Sequence, residues 1–121
     1  MNNLTLRACQ GVLQITVPDA TRHIGRCDQR MWRDYESGER VFPDVLVTRI
    51  RAVLERHAQV YNEICAQADE HKSADSGLLV VSFSVRLEVF KKETGLDDFL
   101  EYAAQMSAKA ELCAKGKILP F

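Results

Sequence analysis

A group of side chains that can hydrogen-bond to nucleic acid lies between positions 26 and 33. Four long polar residues there recur at the spacing of one helix face: Arg26, Gln29, Arg30 and Arg33. A guanidinium donates two parallel hydrogen bonds to O6 and N7 of guanine, and a carboxamide pairs with adenine in the same way. Each good pair gives roughly 1–3 kcal/mol of discrimination. The pattern predicts a surface that reads base edges of double-stranded DNA.

Residues that could serve catalysis are sparse by comparison. His23 and Cys27 are four apart, but Gly25 interrupts a helix between them. His57 falls on an apolar helix stripe, where a hydrogen-bonded core or interface histidine is the usual interpretation. The chain has no phosphate-cradling glycine loop, nucleophile elbow or zinc-type cysteine spacing. We therefore expect no enzyme activity, no catalytic residue, no cofactor and no metal.

The elements that must position the arginines begin at Thr16. This residue is expected to cap a short helix over 17–24, and Gly25 is expected to supply the positive φ of the following turn. Contacts to phosphate, which fix register without reading sequence, are expected from three side chains: Thr16, Arg22 and Arg40. The segment therefore predicts a helix and a turn leading into a second helix.

That second helix is expected to run from the N-cap Asp28 to Gly38. Trp32 and Tyr35 are three residues apart, so we expect them to form one buried ridge on this helix. That ridge would be the side of a recognition helix that packs against the core. A helix, a turn and a second helix are the arrangement that places a recognition helix in the major groove. The alternative is a solvated face whose arginines pair with Asp28 and Asp34.

Two further helices fit the apolar spacing of the first seventy residues. One covers 4–13 as an amphipathic helix, with five apolar residues at helical spacing: Leu4, Ala8, Val12 and the neighbouring Cys9 and Leu13. The other covers 44–70, and its seam has alternating three- and four-residue steps: Leu46, Ile50, Val53, His57, Val60 and Ile64. This stripe is broad enough to contact several elements, including a partner chain. Four of its residues are predicted to serve dimerisation: Ile50, His57, Val60 and Ile64.

A short β-rich run follows at 78–83, bounded by Gly77. A lone strand leaves its backbone groups unpaired, so pairing with the same strand of a second subunit is expected. The residues predicted to contribute to this contact are Val80, Val81 and Phe83. The alternative is the start of a buried helix. Helices over 85–93 and from Asp98 to Gly116 complete a mainly α fold with one short strand.

Charge is unevenly distributed along the 121 residues. The net charge is −1, which gives no bulk attraction to nucleic acid. The first 60 residues carry nine Arg, no Lys and seven acids, whereas the rest carry one Arg, six Lys and ten acids. We predict a DNA-binding region over 1–43 and a dimerisation region over 44–121. No run of about 18 apolar residues suggests a membrane span, so a cytoplasmic location is expected.

Three stretches carry a family resemblance: the run 16–26, the run 32–38, and Pro43-Asp44. They resemble the lambda-repressor-like (Cro/repressor) helix-turn-helix proteins, and most of all the anti-CRISPR-associated autorepressors and their small bacterial relatives. The resemblance implies a homodimeric repressor that binds an inverted repeat and dimerises through its C-terminal half. It places Arg30 at a base-contacting position and Arg33 where some relatives have Gln.

Two residues depart from the wider family pattern. Val17 stands where a phosphate-binding Gln is usual, and Thr21 stands where Ala lets two helices approach. Two other functions stay open at this point. One is an antitoxin-like module that binds a cognate protein through its C-terminal half. The other is RNA binding through the same Arg face, since the resemblance also implies relatives that bind transcripts.

Overall fold

The computed structural model describes residues 3–74, 78–84, 86–95 and 98–120. The protein is mainly helical with one short two-stranded parallel sheet, which confirms the predicted fold class. In chain order the elements are α1 (Asn3–Leu13), α2 (Val17–Ala20), a π-helical turn (Thr21–Gly25), α3 (Gln29–Ser37), α4 (Asp44–Ala74), β1 (Leu79–Val81), α5 (Leu87–Thr94), α6 (Phe99–Ala114) and β2 (Ile118–Pro120). None of the helices in the described ranges is both long and apolar enough to span a bilayer.

The chain forms two compact units, residues 1–55 and 56–121, and the boundary between them in the sequence falls within α4. The first unit therefore extends beyond the predicted boundary at position 43. The functional roles assigned to the two regions stay predictions.

The core of the first unit combines α1, the π-helical turn, α3 and the start of α4. Its α1 residues are Leu6, Cys9 and Leu13, all under a tenth exposed. Cys9 and Leu13 are buried as predicted, whereas the predicted Ala8 and Val12 are exposed and Leu6 was not predicted. Leu6 fits the helical period as well as Ala8 and Val12 do, so the spacing alone could not choose between them. Packing against the neighbouring helices selected Leu6.

The core of the second unit includes a cluster of five apolar residues from α4, α6 and β2. Its members are Val60, Ile64, Ala108, Leu112 and Ile118, each no more than 6% exposed. All six residues of the predicted α4 seam are buried, which confirms that pattern. Val60 and Ile64 of the seam are buried in this cluster without a partner chain.

The strand β1 pairs with β2 of its own chain, so the prediction of a lone strand was wrong. The two are parallel, with Val80 opposite Leu119. The stretch Ile118–Pro120 is too short to produce a recognisable strand pattern. Phe83 lies beyond β1 in the loop 82–84. The predicted helix start at position 85 lies outside the described residues, and α5 begins at Leu87.

Side chains of α6 hold the loop after β1. The Tyr102 hydroxyl donates to the Ser84 carbonyl at 2.9 Å, and Lys109 Nζ donates to the Ser82 carbonyl at 2.9 Å. Burial lowers the pKa of Lys109, an effect that the nearby carboxylate of Glu93 opposes. These bonds hold the backbone of the loop 82–84.

Candidate nucleic-acid interface

The helix α3 is anchored to the first unit by two aromatic side chains. Trp32 is 1% exposed and Tyr35 is 8% exposed, as the sequence predicts. The ring of Tyr35 packs against Phe42, with centroids 5.8 Å apart. One side of this short helix is therefore fixed by packing.

The buried indole also has hydrogen-bond partners. Trp32 Nε1 donates to Glu36 Oε1 at 2.8 Å and to Gln10 Oε1 at 3.4 Å. Gln10 Nε2 donates in turn to the Ile15 carbonyl at 3.3 Å. A buried Trp usually needs such a partner, and here the partners connect α1 to α3. Sequence reasoning missed Gln10, because a single polar residue in an amphipathic helix carries no signal.

The helix before the turn is capped as predicted. Thr16 Oγ1 accepts a hydrogen bond from the Asp19 amide at 3.3 Å. Thr21 is buried, and its hydroxyl donates to the Pro18 carbonyl at 2.8 Å. This bond satisfies the polar atom that Thr adds at the close approach of the two helices. Arg49 Nη1 donates to the Ile24 carbonyl at 2.7 Å and so ties α4 to the π-helical turn.

The predicted positive φ at Gly25 was wrong. The left-handed residue of this turn is Arg26, with φ of 49°. Gly25 is required for a different reason, since a Cβ there would lie 2.8 Å from Cys27 Sγ and 2.9 Å from the Trp32 ring. The absent side chain lets the turn pack against the buried indole.

The opposite side of α3 carries the predicted polar group. All four residues are exposed: Arg26, Gln29, Arg30 and Arg33. Across the ranges that the structure describes, their side chains form no ion pair or hydrogen bond. Asp28 Oδ1 instead accepts from the Met31 amide at 2.7 Å, which confirms the N-cap, and Asp34 pairs with Arg40 at 3.4 Å. The alternative in which Asp28 and Asp34 pair with these arginines is therefore wrong.

The three expected phosphate ligands differ in availability. Arg22 is exposed, and it has no partner within the described part of the chain. Arg40 pairs with Asp34, and the Thr16 hydroxyl donates to Asp19 Oδ2 at 3.2 Å. Contact with phosphate stays a prediction for all three, and the last two would have to exchange an existing partner.

His57 is a hydrogen-bonded core residue, as expected. Its Nδ1 lies 2.7 Å from Ser107 Oγ, and its Nε2 lies 3.2 Å from Glu111 Oε2. Ser107 is only 2% exposed, so its hydroxyl is not accessible to a substrate. Hydrogen bonds from Lys115 and then from His57 lower the pKa of Glu111. We interpret these contacts of His57 as a structural hydrogen-bond network. The absence of enzyme activity stays a prediction.

The cysteines show no redox pair or metal centre. All four lie in the described ranges and are free thiols. Burial raises the pKa of the Cys9 and Cys27 thiols, and the charge of Asp28 adds to the effect at Cys27. Among the described residues, no three metal-ligating side chains come together.

The residues predicted to form a dimer contact fall into two groups. On α4, four are under a tenth exposed inside the chain's own units: Ile50, His57, Val60 and Ile64. Val81 and Phe83 are half-buried. Val80 is 52% exposed beside Leu119 on β2, which is 46% exposed. A dimer role stays a prediction, and Val80 is the residue best placed for it.

Together these features define a small, mainly helical protein in which an aromatic-anchored helix presents arginines that have no partner among the described residues. The chain belongs to the Aca2/YdiL-like family, whose family model matches residues 1–118. A stretch of 44 residues is 41% identical to the Aca2 repressor of Pectobacterium phage ZF40. The match covers 36% of this chain and 38% of that relative. The resemblance to anti-CRISPR-associated autorepressors is thereby confirmed.

Proposed function

We propose that this protein is a DNA-binding transcriptional repressor whose α3 enters the major groove. The observation that carries the proposal is the division of α3 into two sides. Trp32 and Tyr35 hold one side in the core, while the exposed arginines on the other have no protein partner among the described residues. The family membership and the repressor name of the phage relative support the same function.

The chemistry of this face favours a base-reading role. Arg30 and Arg33 can each donate two hydrogen bonds to a guanine edge, and Gln29 can pair with adenine. Arg22 is the phosphate ligand that requires no change of partner. Phosphate contacts of this kind position the helix without specifying sequence.

An inverted repeat requires two copies of the chain related by a two-fold axis. Recognition helices on such a dimer lie about 34 Å apart, one turn of the duplex. The exposed apolar pair Val80 and Leu119, with Leu78 next to it, offers the second unit a surface for self-association. Apolar residues grouped this way are more typical of interfaces than of free surface.

Selection of bound fragments from a random DNA library, followed by binding assays, tests the proposal. We expect a palindromic consensus for the wild type. Arg30→Ala and Arg33→Ala should each weaken specific binding by roughly 10- to 100-fold, the value of a lost bidentate base contact. Arg51→Ala is the matched control, since it removes the same charge from an exposed position on α4 and should keep the consensus.

If Arg30→Ala and Arg33→Ala both keep the wild-type preference for the consensus sequence, the assignment of α3 as the recognition helix is wrong. Light scattering of the purified protein gives the second readout, with a stable dimer as the expected result. A monomer that needs another protein for solubility would favour the antitoxin-like function. Tighter binding to single-stranded RNA than to the selected duplex would favour the RNA-binding function.

A further inference from the structure

A cavity of about 230 Å³ lies in the second unit, and none of its lining residues is among those assigned to DNA contact. Its walls come from α4, from β1 and its preceding residue, and from the turn between α6 and β2. The apolar part includes Cys65, Ala68 and Leu79. At roughly 30 Å³ per water molecule, the space suits a ligand of about the size of a substituted aromatic ring.

Three cations line the same cavity: Lys72 from α4, and Lys115 and Lys117 from the turn between α6 and β2. The only carboxylate among its described lining residues is Asp69. Lys115 is engaged with Glu111 at 3.2 Å and with the Tyr61 hydroxyl at 3.0 Å. Lys72 and Lys117 have no such partner in the part of the chain that the structure describes. The cavity therefore carries a positive potential that its own residues do not neutralise.

We propose that this cavity binds a small organic anion, with an apolar ring or chain against Ala68 and Leu79 and a carboxylate or similar group beside Lys72 and Lys117. A cleft lined by one sign of charge with apolar walls concentrates the field and attracts the opposite ion. An apolar lining with a few placed polar groups is the usual composition of a small-molecule site. The second unit would then bind a small-molecule ligand, and this binding does not depend on how α3 binds DNA.

Titration with benzoate, followed by amide signals in nuclear magnetic resonance, tests the proposal on the full chain. The amides of Gly116 and Lys117 are suitable reporters, because both are held by hydrogen bonds in the turn that lines the cavity. Saturable shifts of these amides are expected, while the Trp32 indole signal in the first unit stays in place. Benzamide, the neutral counterpart of the same shape, should shift them much less.

Two variants separate the charged and apolar parts of the site. The double variant Lys72→Gln, Lys117→Gln should weaken benzoate binding by roughly fivefold or more, given the usual strength of exposed ion pairs. Ala68→Leu should abolish binding by filling the cavity. Lys92→Gln, an exposed change outside the lining, is the matched control and should leave binding unaltered.

The proposal is overturned if benzoate gives no saturable shift, or if benzamide binds equally well. It also fails if the double lysine variant binds as the wild type does. Inorganic phosphate serves as a further probe. If phosphate binds as tightly as benzoate, the apolar lining contributes nothing to binding and that part of the proposal is wrong. None of these outcomes depends on DNA binding, so the two proposals can fail separately.

Discussion

The cations of the two units have different environments. Arg30 and Arg33 of α3, and Arg26 in the turn before it, are exposed and have no acidic partner within the described residues. In the second unit, Arg56 Nε donates to both oxygens of Glu101 at 2.8 and 3.0 Å, and Lys115 pairs with Glu111. The arginines at α3 are therefore left to solvent, whereas Arg56 and Lys115 make contacts inside the second unit.

This difference explains why the first unit is the better candidate for binding a polyanion. An unpaired, solvated guanidinium exchanges water and counterions for phosphate or base oxygens. Arg56 would first have to give up two hydrogen bonds to Glu101. Counting charges along the chain cannot reveal this distinction, since it depends on which acids lie nearby in space.

The strongest test removes the packing beneath the α3 arginines without touching a charge. Gly25→Ala places a methyl group within 2.9 Å of the buried Trp32 ring. We expect a loss of about 1–3 kcal/mol in unfolding free energy, as for other overpacked sites, and a parallel loss of DNA affinity. Urea denaturation followed by Trp32 fluorescence measures the first quantity.

Gly11→Ala is the matched control for that change. Gly11 is in α1, and apart from its own helix backbone no atom of the described residues lies within 4 Å of a Cβ placed there. The variant should gain about 0.5–1 kcal/mol, because Ala replaces Gly inside a helix. Equal effects of the two substitutions would show that the turn does not pack as closely as described.

The second test compares a paired arginine with an unpaired one. Arg56→Ala should lower the unfolding free energy by about 0.5–1 kcal/mol, since the side chain is partly exposed and its ion pair is screened by water. Arg33→Ala should change stability by less than about 0.5 kcal/mol while it weakens DNA binding. If Arg33→Ala lowers the unfolding free energy more than Arg56→Ala does, the description of Arg33 as unpaired among the described residues and Arg56 as paired is wrong.

The smallest expected effect is the pH dependence of the Glu111 contacts. The folded state lowers the pKa of this carboxyl below its ordinary value of 4.5. Its contribution is therefore present above that value and is lost as the pH falls through the folded pKa. Glu111→Gln should be less stable than the wild type by under about 1 kcal/mol near neutral pH.

That stability difference should shrink as the pH is lowered below 4.5. Glu70→Gln, at an exposed position of α4, should show no difference from the wild type at either pH. Denaturation curves for the three proteins at both pH values provide the comparison. If the stability difference between wild type and Glu111→Gln grows on acidification, the pKa of Glu111 is not lowered in the folded state.

Much of the local structure could be predicted from the sequence. The caps at Thr16 and Asp28 are confirmed by their hydrogen bonds to the Asp19 and Met31 amides. The inward side of α3 and the long seam of α4 were also predicted correctly. These features depend on residues a few positions apart, which is the range over which helical periodicity and capping act.

Other features required the tertiary structure. The stripes through Ala8 and through Leu6 satisfy the same helical period, and only packing with other helices chose Leu6. The three residues of β2 gave no strand signal, although pairing with β1 made them a strand. Gly25 was identified as special, but the reason, its contact with the Trp32 ring, required coordinates.

The sequence by itself determined where the helices begin, which side of α3 faces inward, and that the arginines concentrate in the first half. The tertiary structure decided which charges are neutralised and which strand pairs with β1. Capping and periodicity are local properties of the chain. Ion pairing and strand pairing join residues that are distant in sequence, such as Arg56 and Glu101, so only the folded chain can specify them.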